Sequence, residues 1–253
     1  MSTDDHAAAW VPATPARRVV SIVPSLTETI ASVDPGLLVG VTDYCTHPPG
    51  LTATRVGGTK NPDLAAIRSL APDVVVANEE ENRPADLEAL RQAGIAVHLT
   101  VVRSLEEGLA GLRRMLSVLG LPTPGWLPLA ERAWSGPPDP DRGRAVIPVW
   151  RRPWMALGSD TFAGDVLARL GVANVLADSP QRYPRFEPAL LSGADLAVFP
   201  DEPYAFTPDD GPEAFPGIPA RFVSGRHLTW YGPSLAEARA VLGAQLDRSD
   251  PPS

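Results

Sequence analysis

NPDLAAIRSLAPDVVVANEEENRPADLEALRQAGIAVHLTVV, residues 61–102, decides the fold. Its centre, PDVVVAN (72–78), is a nearly continuous β-branched run. A strand reads this way when it lies in a parallel sheet and helices cover both of its faces. NPDLAAIRSLA (61–71) reads as the helix before it, with Asn61 as N-cap and Pro62 at the first helical position. Leu64, Ile67, Leu70 and Ala71 share one face of that helix. RPADLEALRQAG (83–94) reads as the next helix, stopped by Gly94. IAVHLTVV (95–102) is a second strand. Helix, strand, helix, strand is the alternation of an α/β domain with a parallel sheet.

Outward from this stretch the rhythm continues. On the N-terminal side, RVVSIVP (18–24) reads as a buried strand ended by proline. Ser25-Leu-Thr-Glu28 fits a capping box, which predicts a helix to about Val33. LLVGVT (37–42) is a further strand. On the C-terminal side, SLEEGLAGLRRMLSVLGL (104–121) is a long amphipathic helix with Ser104 as cap and Glu107 three residues on. Residues 122–143 break the pattern, with a helical piece at Leu127–Trp134 between proline-rich ends, and read as a connection between lobes. The style then repeats. RAVIPVWR (144–151) is a strand, DTFAGDVLARLG (160–171) a helix, and FEPALLSGA (186–194) a short helix. DLAVFPD (195–201) is a buried strand, 202–219 a long loop, ARFVSG (220–225) a last strand, and 234–248 a closing helix. The expected organisation is a disordered tail over 1–17, an N-terminal α/β lobe over 18–121, a linker over 122–143 and a C-terminal α/β lobe over 144–248.

Composition narrows the function. The chain has 253 residues and a formal net charge of −8. An acidic balance without a basic run argues against a nucleic-acid partner, whose phosphates call for clustered lysine and arginine. No stretch approaches the length of a membrane-spanning helix, so no membrane insertion is expected. The opening MSTDDHAAAWVPATP lacks the basic and apolar regions of a signal peptide, and cysteine occurs once, at Cys45. Both predict a cytoplasmic location. Prolines number 29, about twice the usual share, and stiffen the connections.

The stretches RVVSIVPSLTETIASVDPGLLVGVTDYCTHPP and VGGTKNPDLAAIRSLAPDVVVANEEENRPADLEALRQAGIAVHLTVVRSLEEGLAGL resemble the first lobe of the class III substrate-binding proteins, the helical-backbone metal receptors. GSDTFAGDVLARLGVANVLADSPQRYPRFEPALLSGADLAVFPDE is similar to their second lobe. The likeness covers about residues 18–247. It implies two Rossmann-like lobes with mainly parallel sheets, joined by a helix, with a ligand cleft between the lobes. It implies a ligand such as cobalamin, a ferric siderophore or haem, with cobalamin binders the nearest through the Tyr44 loop and Tyr183. By motif position the resemblance lines the cleft with Pro24, Ser25, Tyr44, Thr59, Lys60 and Asn78 to Asn82, including Glu79 and Glu80. From the second lobe it adds Trp154, Tyr183 and His227 to Tyr231, including Trp230. These positions are also strand C-terminal ends, where open parallel sheets bind ligands. Family members dock on ABC importers through an exposed glutamate from each lobe. Here those positions fall near Ala65 and Ala189, with Glu187 close by, so docking is not expected. The proline-bounded linker piece is shorter than the family's connecting helix.

The residues carry their own chemistry beside this. Tyr44, Trp154, Tyr183, Trp230 and Tyr231 are flat, amphipathic rings that either stack on a large planar ligand or pack the lobes. EEEN (79–82) either receives amides or a cation of a ligand, or opens a helix as a solvated turn. His227 and His47 are the candidate metal ligands. His98 lies inside a strand and reads as structural, and Cys45 reads equally as a ligand or an inert small residue. No H-x₃-H, C-x₂-C or H-E-x-x-H spacing supports a metal site. DEPYAFTPDDG (201–211) is either a lid or a proline-stiffened cover. Gly57-Gly58-Thr59-Lys60 precedes a helix, but its glycine spacing is not that of a phosphate loop. Neither G-x-S-x-G, G-x-x-x-x-G-K-[ST] nor G-x-G-x-x-G occurs. The expectation is a small-ligand binding protein rather than an enzyme, with no required cofactor, for cobalamin, a related corrinoid or tetrapyrrole, or a metal chelate. The alternatives are a metal-ion binder, and an enzyme or accessory protein that adopted the fold.

Overall fold

The RVVSIVP run forms β1 (Val19–Ser21) in the computed structural model, which describes residues 15–248. Of the tail expected over 1–17, residues 1–14 lie outside the described residues. Arg17 and Arg18 already anchor the chain, their backbone N–H groups donating to Asp73 Oδ2 at 2.8 and 2.9 Å. The described chain divides into two units. The first holds residues up to Val102, Glu106–Leu127 and Tyr231–Pro233; the second holds Arg103–Leu105, Pro128–Trp230 and the residues from Ser234 on.

In the first unit β1 is followed by α1 (Pro24–Ala31), β2 (Leu38–Val41), β3 (Thr54–Arg55), α2 (Leu64–Ser69), β4 (Val74–Asn78), α3 (Pro84–Gln92) and β5 (Ala96–Thr100). The sheet order is β3-β2-β1-β4-β5, all parallel. Every residue of β4 is buried, as its β-branched run requires. Val20, Ile22, Val75 and Ala77 pack against Ile67, Leu87 and Leu90 of α2 and α3. Helix α3 ends in a Schellman motif: Gly94 at φ +78 donates to the Arg91 carbonyl and Ile95 to that of Leu90. Gly94 is the stop the sequence predicts, because a side chain there would strain the left-handed backbone.

Two expected caps differ. Helix α1 begins at Pro24 with Val23 as N-cap, without a side-chain cap. The Ser25–Glu28 box fails because proline already supplies the helical φ one residue earlier, which draws Ser25 inside the first turn. Helix α2 is capped by Asp63, whose Oδ1 accepts from Ala65 and Ala66 at 3.0 and 2.9 Å, rather than by Asn61. The two-residue strand β3 was not foreseen, being too short to show a period.

Helix α4 (Leu105–Leu119) is followed by α5 (Trp126–Trp134), and the division between units falls within α5, after Leu127. The second unit continues with β6 (Gly143–Val146), β7 (Pro148–Trp150), β8 (Met155–Ala156), α6 (Phe162–Arg169), β9 (Val172–Asn174) and β10 (Leu196–Pro200). It closes with β11 (Ala220–Val223), α7 (Gly225–Thr229) and α8 (Leu235–Leu246). Its main sheet is β11-β10-β6-β9, again parallel. The run 144–151 is therefore two strands, not one. Pro148 has no N–H to donate, and beyond Ile147 the chain leaves the parallel sheet to pair antiparallel with β8. The helix expected over 186–194 shrinks to a 3-10 turn at Pro188–Leu190, and α7 begins at Gly225, the expected end of the last strand, and runs to Thr229, where no element was expected. Asp139 fastens the proline-rich entry to this unit by accepting from Arg142 at 3.2 Å and Arg239 at 2.6 Å. Among the described residues no helix is long and apolar enough to cross a membrane.

His98 sits buried in β5, aligned with Val76 of β4. Burial, aided by the Arg114 charge, holds its imidazole below the ordinary 6.5. The native protein keeps the neutral ring, so on acidification the unfolded chain takes up the proton first. Stability is full above pH 6.5 and is lost as pH falls below it, by at most about 1.4 kcal/mol per pH unit. Urea unfolding at pH 7 and pH 5.5 should show this loss in the wild type and a smaller one in His98→Leu.

Candidate functional site

Strand order locates the site before any side chain is considered. In the first unit the connections from β1 run outward through β2 to β3, while β4 and β5 lie on the other side. The topological switch point falls between β1 and β4, and the carboxyl ends of those strands are where an open sheet receives a ligand. In the second unit β9 lies on one side of β6 and β10 on the other, which places the switch point between β6 and β10.

At the first switch point, Pro24 and Ser25 follow β1 and both are buried. Glu79, Glu80, Glu81 and Asn82 follow β4. Asn82 bridges the crevice: its Nδ2 donates to the Ile22 carbonyl at 3.2 Å and to that of Thr59 at 3.0 Å, and its Oδ1 accepts from Asn78 N–H at 2.8 Å. Asn78 Nδ2 donates to Thr100 O and Oγ1, both at 3.2 Å, and its Oδ1 accepts from Glu80 N–H at 2.8 Å. Buried amides with this many partners hold the turn; they are not directed outward. Lys60 Nζ donates to the Glu80 carbonyl and so joins the GGTKN loop to the acidic turn. Tyr231 is buried, shares a hydrogen bond of 3.2 Å with Thr100 Oγ1, and has its phenol pushed far up by burial. It packs in the first unit rather than presenting its ring.

Tyr44 is the outward-facing aromatic of this unit, 64% exposed. Its loop is rigid. Arg55 donates to the Thr42 carbonyl at 2.7 Å and to that of Cys45 at 3.0 Å. The Cys45 thiol lies buried between Thr27 Oγ1 at 3.0 Å and Thr42 Oγ1 at 3.1 Å, and burial pushes its pKa up. Cys45 therefore packs as a neutral small residue and sets the base of the Tyr44 loop. Thr59 is half-buried in the neighbouring loop.

In the second unit Trp154 belongs to an aromatic core. It stacks on Phe206 at 5.9 Å and 5°, and meets Phe215 at 5.5 Å and Phe186 at 6.2 Å. Phe199 from β10 closes the same cluster. The 201–211 loop is thus a packed cover and not an open lid, because Phe206 is buried against Trp154 and Phe199. Arg151 clamps it by pairing with Asp210 and Glu213. Tyr183 is half-buried next to Arg182, whose carbonyl accepts from Gly158 N–H at 2.8 Å.

His227 and Trp230 flank the end of α7. His227 Nδ1 shares a hydrogen bond with Ser224 Oγ at 2.8 Å, and Nε2 with Glu237 Oε1 at 3.2 Å. Trp230 lies beneath the Arg226 guanidinium at 6.0 Å and is a partner of the Glu202 carboxyl. Burial first, then Asp201, pushes Glu202 up, against the opposing pull of Arg226 and Trp230. Gly225 is required here: a Cβ would stand 2.8 Å from Glu202 N. His47, in the first unit, has Nδ1 within 3.1 Å of Thr46 Oγ1. Among the described residues no three His, Cys, Asp or Glu side chains gather in a way that could hold a metal ion.

Sequence reading missed Trp150, Tyr204, Glu202 and Arg226. Trp150 sat inside a run read as one strand, and Tyr204 in a loop without period. Proline at 148 was the available signal that the strand breaks there.

No family model matches the chain. The vitamin B12-binding protein of Vibrio cholerae is 26% identical over 183 residues, 68% of this chain and 65% of that protein, so the match spans just under two thirds of the relative's length. Among solved structures, the periplasmic vitamin B12 binding protein BtuF of Vibrio cholerae superposes with a TM-score of 0.71 at 22% identity, covering 92% of this chain and 97% of that one. A periplasmic heme binding protein from Pseudomonas aeruginosa superposes with a TM-score of 0.72 at 21% identity, covering 94% and 95%. Two parallel-sheet units with these strand orders, and this likeness along nearly the whole chain, give the molecule the α/β fold of the class III substrate-binding proteins.

Proposed function

We propose that this chain is a non-catalytic binding protein for a large planar metal chelate, with cobalamin or a related corrinoid first. The observation that carries the reading is Tyr44, an exposed aromatic ring on a loop fixed from beneath by Arg55 and by the Thr27–Cys45–Thr42 contacts, at the carboxyl end of a parallel sheet. An exposed ring on a loop whose backbone is pinned contributes stacking surface with little backbone ordering on binding. The likeness to a vitamin B12-binding protein supports corrinoids over other chelates. Ordered strand ends with internally satisfied amides suit capture of a preformed ligand.

Absorption spectra test this. Purified protein incubated with cobalamin and freed of excess ligand should retain corrinoid bands at one equivalent per chain. Tyr44→Ala should weaken retention by about tenfold, the loss of about 1.4 kcal/mol of stacking. Protein that stays colourless after cobalamin but takes up hemin would move the reading to tetrapyrroles. Protein that takes up neither would overturn it.

A further inference from the structure

The second unit carries a relay of three side chains that the binding reading does not use. β11 ends at Val223, Ser224 makes the turn, and α7 begins at Gly225. His227 lies three residues on in α7, and Glu237 in the first turn of α8. His227 Nε2 meets Glu237 Oε1 at 3.2 Å, and Nδ1 meets Ser224 Oγ at 2.8 Å. A carboxylate only accepts, so Nε2 carries the ring hydrogen. Nδ1 of the neutral ring then offers its lone pair, and the Ser224 hydroxyl donates to it.

Ser224 gives up an ordinary task to make this contact. It is the N-cap of α7, yet its hydroxyl caps no backbone N–H of that helix. A serine at this position normally accepts from the second or third residue on. Its carbonyl does accept from Leu228 N–H at 3.1 Å, so the backbone is held while the hydroxyl turns to the imidazole. Ser224 is half-buried, and the Glu237 side chain is 65% exposed. Nucleophile, base and orienting carboxylate in hydrogen-bonded series are the parts of an activated serine. The two ring nitrogens stand in exchanged places relative to the serine-hydrolase triad, and either can take a proton.

The amides beside the hydroxyl set the limit of its chemistry. Ser224 N–H donates to Gln245 Oε1 at 3.0 Å, and Gly225 N–H to Asp201 Oδ1 at 2.6 Å. Serine hydrolases aim such amides at the oxyanion of the tetrahedral intermediate. Both are engaged here, so a poor leaving group is not expelled and an ester once formed is not readily hydrolysed.

We propose that Ser224 is a covalent acylation site, which takes one acyl group from an activated donor such as an acyl phosphate or a thioester. Ser224 Oγ attacks the carbonyl carbon while its proton passes to His227 Nδ1. The bond from carbon to the leaving oxygen or sulfur then breaks, and the leaving group departs with the bonding pair. The proton on Nδ1 goes to that group or, where it stays an anion, to water. Glu237 is the positioning residue, because it fixes the tautomer that leaves Nδ1 free to accept. The transfer stops at the ester, once per chain. It uses residues of the second unit alone and is independent of the binding reading.

The probe is 4-nitrophenyl acetate, followed by nitrophenolate release, intact mass and peptide mapping, with thermal melts alongside. The wild type should release one equivalent and carry one acetyl group on Ser224, and Ser224→Ala should carry none there. His227→Gln keeps a polar side chain but no base, and should slow labelling of Ser224 by about 100-fold. Glu237→Leu should slow it less. Glu237→Gln, whose amide oxygen still accepts from Nε2, should recover part of the rate with an unchanged melt. Labelling confined to amines, or Ser224 labelled equally fast in His227→Gln, overturns the site. If His227→Gln melts early, Glu237→Leu carries the comparison, and an unchanged rate there overturns it too. Release that continues past one equivalent overturns the single transfer.

Discussion

Phe199→Ala should destabilise the second unit by about 3–5 kcal/mol, the usual cost of emptying a buried aromatic position. Phe199 is fully buried in the middle of β10 and touches Phe206, Phe215 and Phe222 at ring separations of 5.2 to 5.7 Å. Its neighbours cannot close the gap readily. Phe206 is held by its stack on Trp154, and Phe215 by its own contact with that ring. In a domain of this size the loss corresponds to a drop in melting temperature of about 10 °C. Phe199→Leu keeps part of the volume and should cost about a third as much. Calorimetry on the three proteins checks both values; a Phe199→Ala melt within 2 °C of the wild type, on the order of 1 kcal/mol or less, would show that the aromatic cluster is not the core of this unit.

Asn82→Leu should have an effect of similar size, about 3–4 kcal/mol, for a different reason. The leucine fills the same space but cannot serve the Asn78 N–H or the Ile22 and Thr59 carbonyls that Asn82 now satisfies. Each buried group left without a partner costs about 1–3 kcal/mol, and water reaching the exposed side of the turn offsets part of the sum. The damage should be local. Amide hydrogen exchange at Asn78, Glu79 and Glu80 should speed up far more than at Val74 to Val76, which the strand ladder still holds. Uniform acceleration across β4 would mean that Asn82 supports the sheet as a whole rather than its end.

The fold was legible because its signal is strong and local. Val74, Val75 and Val76 report a strand covered on both faces, and Gly94 reports a helix end, whatever the rest of the chain does. Short elements carry no such signal. β3 has two residues and β9 has three, fewer than one can read a period from. The candidate site was legible in position but not in orientation. Motif and strand ends pointed to Tyr44, Trp154, Trp230 and Tyr231, yet whether each ring faces water depends on partners distant in the chain. Tyr231 is claimed by Thr100, and Trp154 by Phe206 and Phe215, while Tyr44 stays 64% exposed. A pattern of residue types states that an aromatic is present; only tertiary packing states which of its faces is free.

The bridged crevice of the first unit bears on which molecules the protein ignores. Dinucleotide enzymes with sheets of this kind leave the first strand-to-helix turn bare, in glycine, so that a pyrophosphate can approach the helix. Here Val23, Pro24 and Ser25 fill that turn and Asn82 ties the neighbouring strand end across it. A pyrophosphate meets a closed turn here where a dinucleotide enzyme would offer it a seat. Exclusion of a dinucleotide from this turn is thus built into the backbone before any side chain chooses a ligand.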